Sequence, residues 1–230
     1  MTEDPFVTIA RALQDHGRPE APRRVSCYVA LGDSFTAGTG SPEGLGWTDR
    51  IARSLRQANP AFVYRNFAVD GATSADVLGQ LGEGLQLEPD LVTVICGAND
   101  VLRSTRPDGS MYARRLTTIF QRIQDAGPRV IVVTATSPER WDFVRLGPRT
   151  RARVESGMRR FNDVTRRVAA AHRVPCLDVA DHPGLRDRDN FAIDGLHPSI
   201  SGHSRAARAF AGLLRDGYRI PIGYLEGDPT

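Results

Sequence analysis

The sequence predicts an α/β fold in which a parallel sheet is covered by helices on both faces. Short apolar runs alternate with amphipathic segments along most of the 230 residues. The runs are apolar at consecutive positions, which is typical of strands buried on both faces of a parallel sheet. A hydrophobic content of 40% and a charged content of 25% match an ordinary globular protein, and the length suggests one domain with appendages.

The chain divides into three parts. Phe6, Ile9 and Leu13 lie at helical spacing and predict a short amphipathic helix over residues 5–15, which a linker then joins to the domain. We expect the helix and linker to occupy residues 1–24, the main domain residues 25–217, and an irregular tail residues 218–230.

The first half of the domain is predicted to contain three strands and two helices in alternation. "VSCYVAL" (25–31) is the first strand, and "GWTDRIARSLRQA" (46–58) has the apolar spacing of a helix. "FVYRNFAV" (62–69) is the second strand. "TSADVLGQLGEGL" (73–85) is a helix weakened by its glycines, and "DLVTVICG" (90–97) is the third strand.

The second half repeats the alternation. It is predicted to contain a helix at 110–127, a strand at 129–135, a helix at 149–172, a strand at 174–180 and a helix at 199–216. The first of these helices ends at a Gly-Pro pair, and the second carries a stripe of apolar residues spaced for burial. About fifteen residues rich in Pro and Arg follow the fourth strand, and this length favours a functional or lid-like loop.

Composition argues against several classes of protein. The formal net charge is only +3 and the basic residues, all Arg, are spread along the chain, so we expect no nucleic-acid partner. The N-terminus lacks the features of a secretory signal, and no stretch approaches the ~20 apolar residues of a membrane span. We therefore expect a cytoplasmic protein without stable membrane insertion, in which Cys27, Cys96 and Cys176 are buried free thiols. Oligomeric state is left open.

Four segments with unusual residues are predicted to meet at one edge of the sheet. "GDS" (32–34), the loop containing Gly71, and "GAND" (97–100) follow the first three strands, and "DGLHPS" (194–199) precedes the last helix. Right-handed crossovers bring the carboxyl ends of parallel strands to the same edge, where ligands bind in such folds.

The residue types in these segments point to nucleophilic catalysis. Ser34 is the candidate nucleophile, and His197 is the natural base for its proton because an imidazole titrates near neutrality. Asp194 is placed to hold the imidazole in one tautomer across a tight turn. The backbone N–H groups of Ser34 and Gly71 and the side-chain amide of Asn99 are candidate donors to an oxyanion. Asp33 adjoins the serine, and we assign it a structural hydrogen bond within its own loop.

The set "GDSFTAG", Gly71, "GAND" and "DGLHPS" resembles the SGNH superfamily of GDSL-type esterases and lipases over roughly residues 25–215. The resemblance implies that Ser34, His197 and Asp194 form a catalytic triad and that Ser34, Gly71 and Asn99 form the oxyanion hole. It also implies a flavodoxin-like three-layer α/β/α sandwich with strand order 2-1-3-4-5. The first motif has Phe35 where the family name has Leu, a change between two apolar residues.

Two other functions remain open at the level of sequence. "SFTAGTG" is similar to the first loop with which flavodoxin-like proteins hold an FMN phosphate. A flavin- or nucleotide-binding function would not, however, explain the presence of "GAND" and "DGLHPS". An acyltransferase would use the same triad. We expect no cofactor, and no metal, since His182, His197 and His203 are not at the usual ligand spacing.

The expected substrate is a carboxylic ester or thioester of a small intracellular molecule. Trp47, Trp141 and Phe143 are candidates for an apolar substrate pocket or a movable lid, although ordinary core packing is an equally good interpretation of each. The sequence does not specify the natural substrate or its acyl chain length.

Overall fold

The computed structural model describes residues 22–223 and Leu225. The helix expected at residues 5–15 lies outside the described residues. Within them, no helix combines the length and the apolar character needed to cross a membrane.

The centre of the domain is a parallel sheet of five strands in the order β2-β1-β3-β4-β5. The strands are β1 (Cys27–Gly32), β2 (Val63–Asn66), β3 (Leu91–Ile95), β4 (Ile131–Ala135) and β5 (Cys176–Leu177). The predicted α/β class and the strand order implied by the resemblance are both confirmed.

The two edge strands are shorter than their apolar runs predict. β2 has four residues and β5 has two, against expected ranges of 62–69 and 174–180. β2 pairs only with β1, and its residues alternate between exposed and half-buried positions. Pro175, immediately before β5, has no N–H to donate to a neighbouring strand. A run of apolar residues therefore overestimates a strand that has a partner on one side only.

Seven α-helices surround the sheet in the described part of the chain. They are α1 (Ser34–Ala37), α2 (Trp47–Ala58), α3 (Ser74–Leu85), α4 (Ala98–Leu102), α5 (Gly109–Asp125), α6 (Pro148–Ala171) and α7 (Ile200–Tyr218). The five longer helices lie within two residues of their predicted ranges. The short helices α1 and α4 span four and five residues, too few to produce a periodic pattern that the sequence could reveal.

The helices form a layer on each face of the sheet. On one face, Val92 and Val94 of β3 pack in a core with residues of α3, α5 and α6. On the other face, Leu91 and Ile95 of the same strand pack with residues of α2 and α7. Two separate cores on opposite faces of one sheet make the three-layer α/β/α sandwich.

Side chains cap the helices that begin at the carboxyl edge of the sheet. The Asp33 carboxylate accepts from the Phe35 N–H at the start of α1, and the Ser199 hydroxyl accepts from the Gly202 N–H at the start of α7. Thr73 and Asp76 form a reciprocal capping box at the start of α3. These caps fix the points at which the chain turns from loop into helix along this edge.

Candidate active site

The turn from β1 into α1 presents Ser34 at the carboxyl edge of the sheet. Asp33 is the N-cap of α1, so Ser34 is the first helical residue. Gly32, just before the cap, is held by the side-chain amide of Gln80 on α3. Gln80 donates to the Gly32 carbonyl and accepts from the Gly32 N–H, both at 2.9 Å. The backbone that leads to the serine is therefore fixed from two sides.

Ser34, His197 and Asp194 form a continuous hydrogen-bonded chain. The Ser34 Oγ lies 3.0 Å from the His197 Nε2, and the His197 Nδ1 lies 2.7 Å from the Asp194 Oδ2. The other carboxylate oxygen of Asp194 accepts from the N–H groups of Leu196 and His197. One carboxylate thus orients the ring and closes the turn that carries it. Partial burial alone would raise the pKa of Asp194, but these hydrogen bonds and the imidazole outweigh it and lower the pKa.

The Asp194–His197 turn rests on the long loop between β4 and α6. Gly195 sits against the backbone of Phe143 so closely that a Cβ on Gly195 would lie 2.2 Å from the Phe143 carbonyl oxygen. The Phe143 ring packs on Phe191, with ring centroids 5.1 Å apart, and the Arg188 guanidinium lies over it at 5.6 Å. Phe143 therefore supports the turn that bears the histidine.

Side chains of α6 hold this long loop in place. The Asn162 amide accepts from the Ser137 N–H at 2.9 Å and donates to the Ser137 carbonyl at 2.8 Å. Arg151 donates to the carbonyls of Trp141 and Val144. The segment that the sequence suggests as a lid is attached to the domain at both of these points.

The candidate oxyanion donors lie around the same cavity as Ser34. Gly71 and Asn99 line that cavity, and Gly71 has a left-handed φ of +77°, which a glycine adopts without a steric cost. The Asn99 Nδ2 donates to the Ala72 carbonyl at 3.1 Å and lies 3.5 Å from the Asp33 Oδ2. These contacts orient the Asn99 amide, and they connect the loop after β2 to the loop after β3.

Asp100 strengthens the same connection. Its carboxylate accepts from the Ser74 N–H at 2.7 Å and from the Ser74 hydroxyl at 2.6 Å, and Arg115 lies 3.5 Å away. Asp100 thus joins the start of α3, just beyond Gly71, to the helix that begins beside Asn99. The sequence alone did not reveal this role, since the partners are 26 residues apart and "ND" by itself indicates only a cap or turn.

Asp33 is a buried carboxyl group beside the serine. Burial raises its pKa to about 7, and this effect exceeds the opposing influence of the Phe35 N–H and of His197. Its hydrogen bond to the Phe35 N–H is the one that the sequence predicts within its own loop. The carboxyl group is tied to that backbone and takes no part in orienting the imidazole, which Asp194 contacts.

The serine opens into a cavity of about 410 Å³ whose lining includes Trp141. Trp47 lies elsewhere, because its fully buried indole stacks on Phe210 at 4.2 Å and donates to the Phe35 carbonyl. Phe143 also lies outside the lining, since it packs against Phe191. Of the three aromatic pocket candidates, the structure brings only Trp141 to the cavity wall.

Two further histidines of the described region, His182 and His203, have structural partners. His203 accepts from the Trp47 N–H and contacts the Thr39 carbonyl through its Nε2, and burial lowers its pKa. His182 caps a short 3₁₀ turn by accepting from the Gly184 N–H. Among the described residues, no group of three or more His, Cys, Asp or Glu side chains is arranged to bind a metal ion.

Comparisons with a protein-family model, with related sequences and with solved structures all point to esterases and lipases or to related hydrolases. Residues 30–205 match the model of the GDSL-like Lipase/Acylhydrolase family. An arylesterase of Vibrio mimicus is 26% identical over 171 residues, which cover 74% of this chain and 78% of the relative. A lipase/acylhydrolase from Enterococcus faecalis superposes with a TM-score of 0.65 at 25% identity, covering 89% of this chain and 99% of that structure. An α/β hydrolase enzyme from the metagenome of Lake Arreo, Spain, superposes with a TM-score of 0.63 at 25% identity, covering 84% and 94%.

Proposed function

The chain belongs to the GDSL-like lipase/acylhydrolase family, and on that premise we propose that it hydrolyses a carboxylic ester or thioester of a small molecule through an acyl-enzyme on Ser34. The observation that carries this proposal is the 3.0 Å separation of the Ser34 Oγ and the His197 Nε2. A serine hydroxyl at hydrogen-bonding distance from an oriented imidazole is the arrangement that an activated serine requires.

In the acylation step, the Ser34 Oγ attacks the substrate carbonyl carbon while its proton passes to the His197 Nε2. The tetrahedral intermediate collapses by breaking the bond to the leaving group, which takes the proton from His197 and departs as an alcohol or thiol. The acyl group stays bonded to the Ser34 Oγ. Asp194 remains ionised, because its lowered pKa keeps it a carboxylate, and stabilises the imidazolium that forms.

In the deacylation step, a water molecule gives its proton to His197 as its oxygen attacks the acyl carbon. Collapse of the second intermediate returns the proton to the Ser34 Oγ and releases a carboxylic acid. In both intermediates the carbonyl oxygen carries a negative charge. We assign its stabilisation to the backbone N–H groups of Ser34 and Gly71 and to the Asn99 amide, since donors fixed in advance act without reorganising.

The flavoprotein alternative has less support than hydrolysis. Flavin or nucleotide binding would explain only the loop after β1. It would not explain why His197, in a second loop, lies at hydrogen-bonding distance from Ser34 in that first loop. An acyltransferase would form the same acyl-enzyme and pass the acyl group to an alcohol or amine in place of water. Whether water or another acceptor reacts faster with the acyl-enzyme distinguishes the hydrolase from the acyltransferase. The geometry of the triad is compatible with both activities.

The proposal is tested with p-nitrophenyl esters and a phosphonylating serine probe. We expect Ser34→Ala to abolish turnover, and peptide mass mapping to locate the probe on Ser34 in the unchanged protein. Asn99→Ala should lower kcat by about two to three decades with little change in KM. Turnover by Ser34→Ala at the original rate, or a probe adduct on another residue, would remove the serine from the mechanism.

A further inference from the structure

The cavity beside Ser34 reaches past the catalytic loops into the interior of the sandwich. Three residues at the carboxyl ends of β3, β4 and β5 line it, namely Ile95, Ala135 and Leu177. All three belong to the core on the α2 and α7 face of the sheet. The cavity therefore enters the space between the sheet and α7, on one specific side of the nucleophile.

Between Arg205 and Phe210, which also line the cavity, helix α7 presents small side chains to this space. Ala206 and Ala209 line the cavity three residues apart, so they lie on the same face of the helix, next to Phe210. Phe210 itself is held by its stack on Trp47 at 4.2 Å. The aromatic rings fill the wall where they stack, and the two alanines are the positions at which a larger side chain would reduce the volume.

The inner part of the cavity favours an apolar group. The six residues named from β3, β4, β5 and α7 carry no polar side-chain atom, so the part of the wall that they form offers a charged or hydroxyl-rich group no hydrogen bond in place of those it loses to water. A volume of about 410 Å³ exceeds what an acetyl group needs and falls within the range of pockets that enclose whole small ligands.

The acyl group is the part of the substrate that fits this inner space. The leaving group must take a proton from His197 and then depart, and the side chains of His197 and Asp194 are 19% and 47% exposed. The leaving group therefore has an exit on the histidine side. The acyl group stays bonded to the Ser34 Oγ until water attacks, so it can occupy this inner part of the cavity for the lifetime of the acyl-enzyme.

We infer that the space between the sheet and α7 is the acyl-binding site, that the enzyme prefers apolar acyl chains longer than acetyl, and that Ala206 and Ala209 determine the longest chain accepted. This inference rests on the proposed function, since it assigns the acyl side of that reaction. Each methylene that enters the site should raise kcat/KM about fourfold, the factor expected for moving one methylene out of water.

The test is a series of p-nitrophenyl esters from acetate to decanoate, measured on the unchanged protein and on Ala206→Leu and Ala209→Leu. We expect kcat/KM to rise with chain length to an optimum beyond butyrate. Each Leu variant should move the optimum to shorter chains and lower octanoate hydrolysis at least tenfold, with acetate hydrolysis within about twofold. The matched control is Gly212→Ala on α7, because a Cβ at Gly212 meets no atom within 4 Å. It should keep the original profile.

A second comparison separates the acyl site from a leaving-group site. Methyl octanoate and heptyl acetate are isomers, so they differ in which side of the ester bears the chain and hardly in overall hydrophobicity. We expect methyl octanoate to be the better substrate, and only its hydrolysis to be impaired by Ala209→Leu. A preference for heptyl acetate, a profile that falls steadily from acetate, or equal losses at every chain length would overturn the inference. Hydrolysis of the acetate ester that depends on Ser34 would, in all of these cases, leave the proposed function standing.

Discussion

Replacing Gly195 by alanine tests whether the backbone of Phe143 holds the turn that carries His197. Gly195 has a φ of +69°, and an added Cβ would lie 2.2 Å from the Phe143 carbonyl oxygen and 2.6 Å from the carbonyl carbon. An ordinary contact needs about 3.4 Å, so one of the two backbones must move by about 1.2 Å. Because both contacts are with backbone atoms, no side-chain rotation relieves them.

The expected effect on catalysis follows from where the displaced residue lies. Gly195 stands between Asp194, which orients the imidazole, and His197, whose Nε2 must stay within reach of the Ser34 Oγ in the proposed mechanism. A misplacement of about 1 Å in a reacting group costs up to about a hundredfold in rate. We expect Gly195→Ala to lower kcat by about 30- to 100-fold and the free energy of unfolding by about 2–4 kcal/mol, the sum of backbone strain and overpacking.

Gly44 supplies a matched control, since it has a φ of +75° but no atom lies within 4 Å of its added Cβ. Gly44→Ala should therefore incur the backbone strain alone, about 1 kcal/mol, and leave kcat unchanged. The assay is kcat for a p-nitrophenyl ester together with urea unfolding of both variants. If the two alanine variants had kcat values within twofold of each other, the contact with Phe143 would have no part in holding the turn.

Three further substitutions test other parts of the site. Asp194→Asn should lower kcat by about 10²–10⁴-fold while KM changes little, because an amide cannot stabilise the imidazolium; a near-normal kcat across pH 6–9 would mean that another group orients the ring. Asp100→Asn weakens two hydrogen bonds from Ser74, so urea unfolding should show a loss of about 1–3 kcal/mol and kcat should fall about tenfold; unchanged kcat would separate this contact from the oxyanion donors. Asp33→Asn keeps a side chain able to cap α1 but removes a buried ionisable group. Since burial raises the folded-state pKa of Asp33 to about 7, its ionisation destabilises the fold as pH rises from about 4 to about 7. The wild-type free energy of unfolding should therefore fall by about 2–3 kcal/mol more than that of the variant between pH 5 and pH 8, and parallel pH profiles would contradict the assignment.

The sequence predicted those features of the fold that depend on long, regular patterns. Apolar runs alternating with amphipathic segments were sufficient for the parallel sheet, and the strand order came from the family resemblance. The extents of β2 and β5 were overestimated, because an edge strand pairs with a single neighbour and, in β5, Pro175 just before the strand has no N–H to donate. The extents of the short helices α1 and α4 were not predicted, since one turn of helix leaves no periodicity to detect.

For the site, the sequence pointed to the groups proposed to be catalytic but not to the residues that hold them. Ser34, Asn99 and His197 occur in motifs whose residue types indicate the chemistry proposed for them. Gln80 has no such motif, because its contact with Gly32 joins residues 48 positions apart. For Trp47, the sequence suggested a role that the structure does not give it. A tryptophan near a candidate nucleophile suggests a pocket wall, yet the direction of its indole depends on the packing of α7, which the sequence does not specify.

The contacts that hold the site in place share one physical property. In each of them, a group from one element contacts backbone atoms of another element. The Gln80 amide on α3 holds the strand end before the serine, the Asp100 carboxylate on α4 holds the start of α3, and the Phe143 backbone limits the turn at Gly195. The proposed catalytic groups come from separate loops, so their relative positions depend on these cross-connections more than on the rigidity of any one loop. An oxyanion hole contributes most when its donors need no rearrangement during the reaction. It follows that single losses among these contacts should lower kcat more than they raise KM, because they disturb the geometry of the transition state while the apolar walls proposed to bind the substrate stay in place.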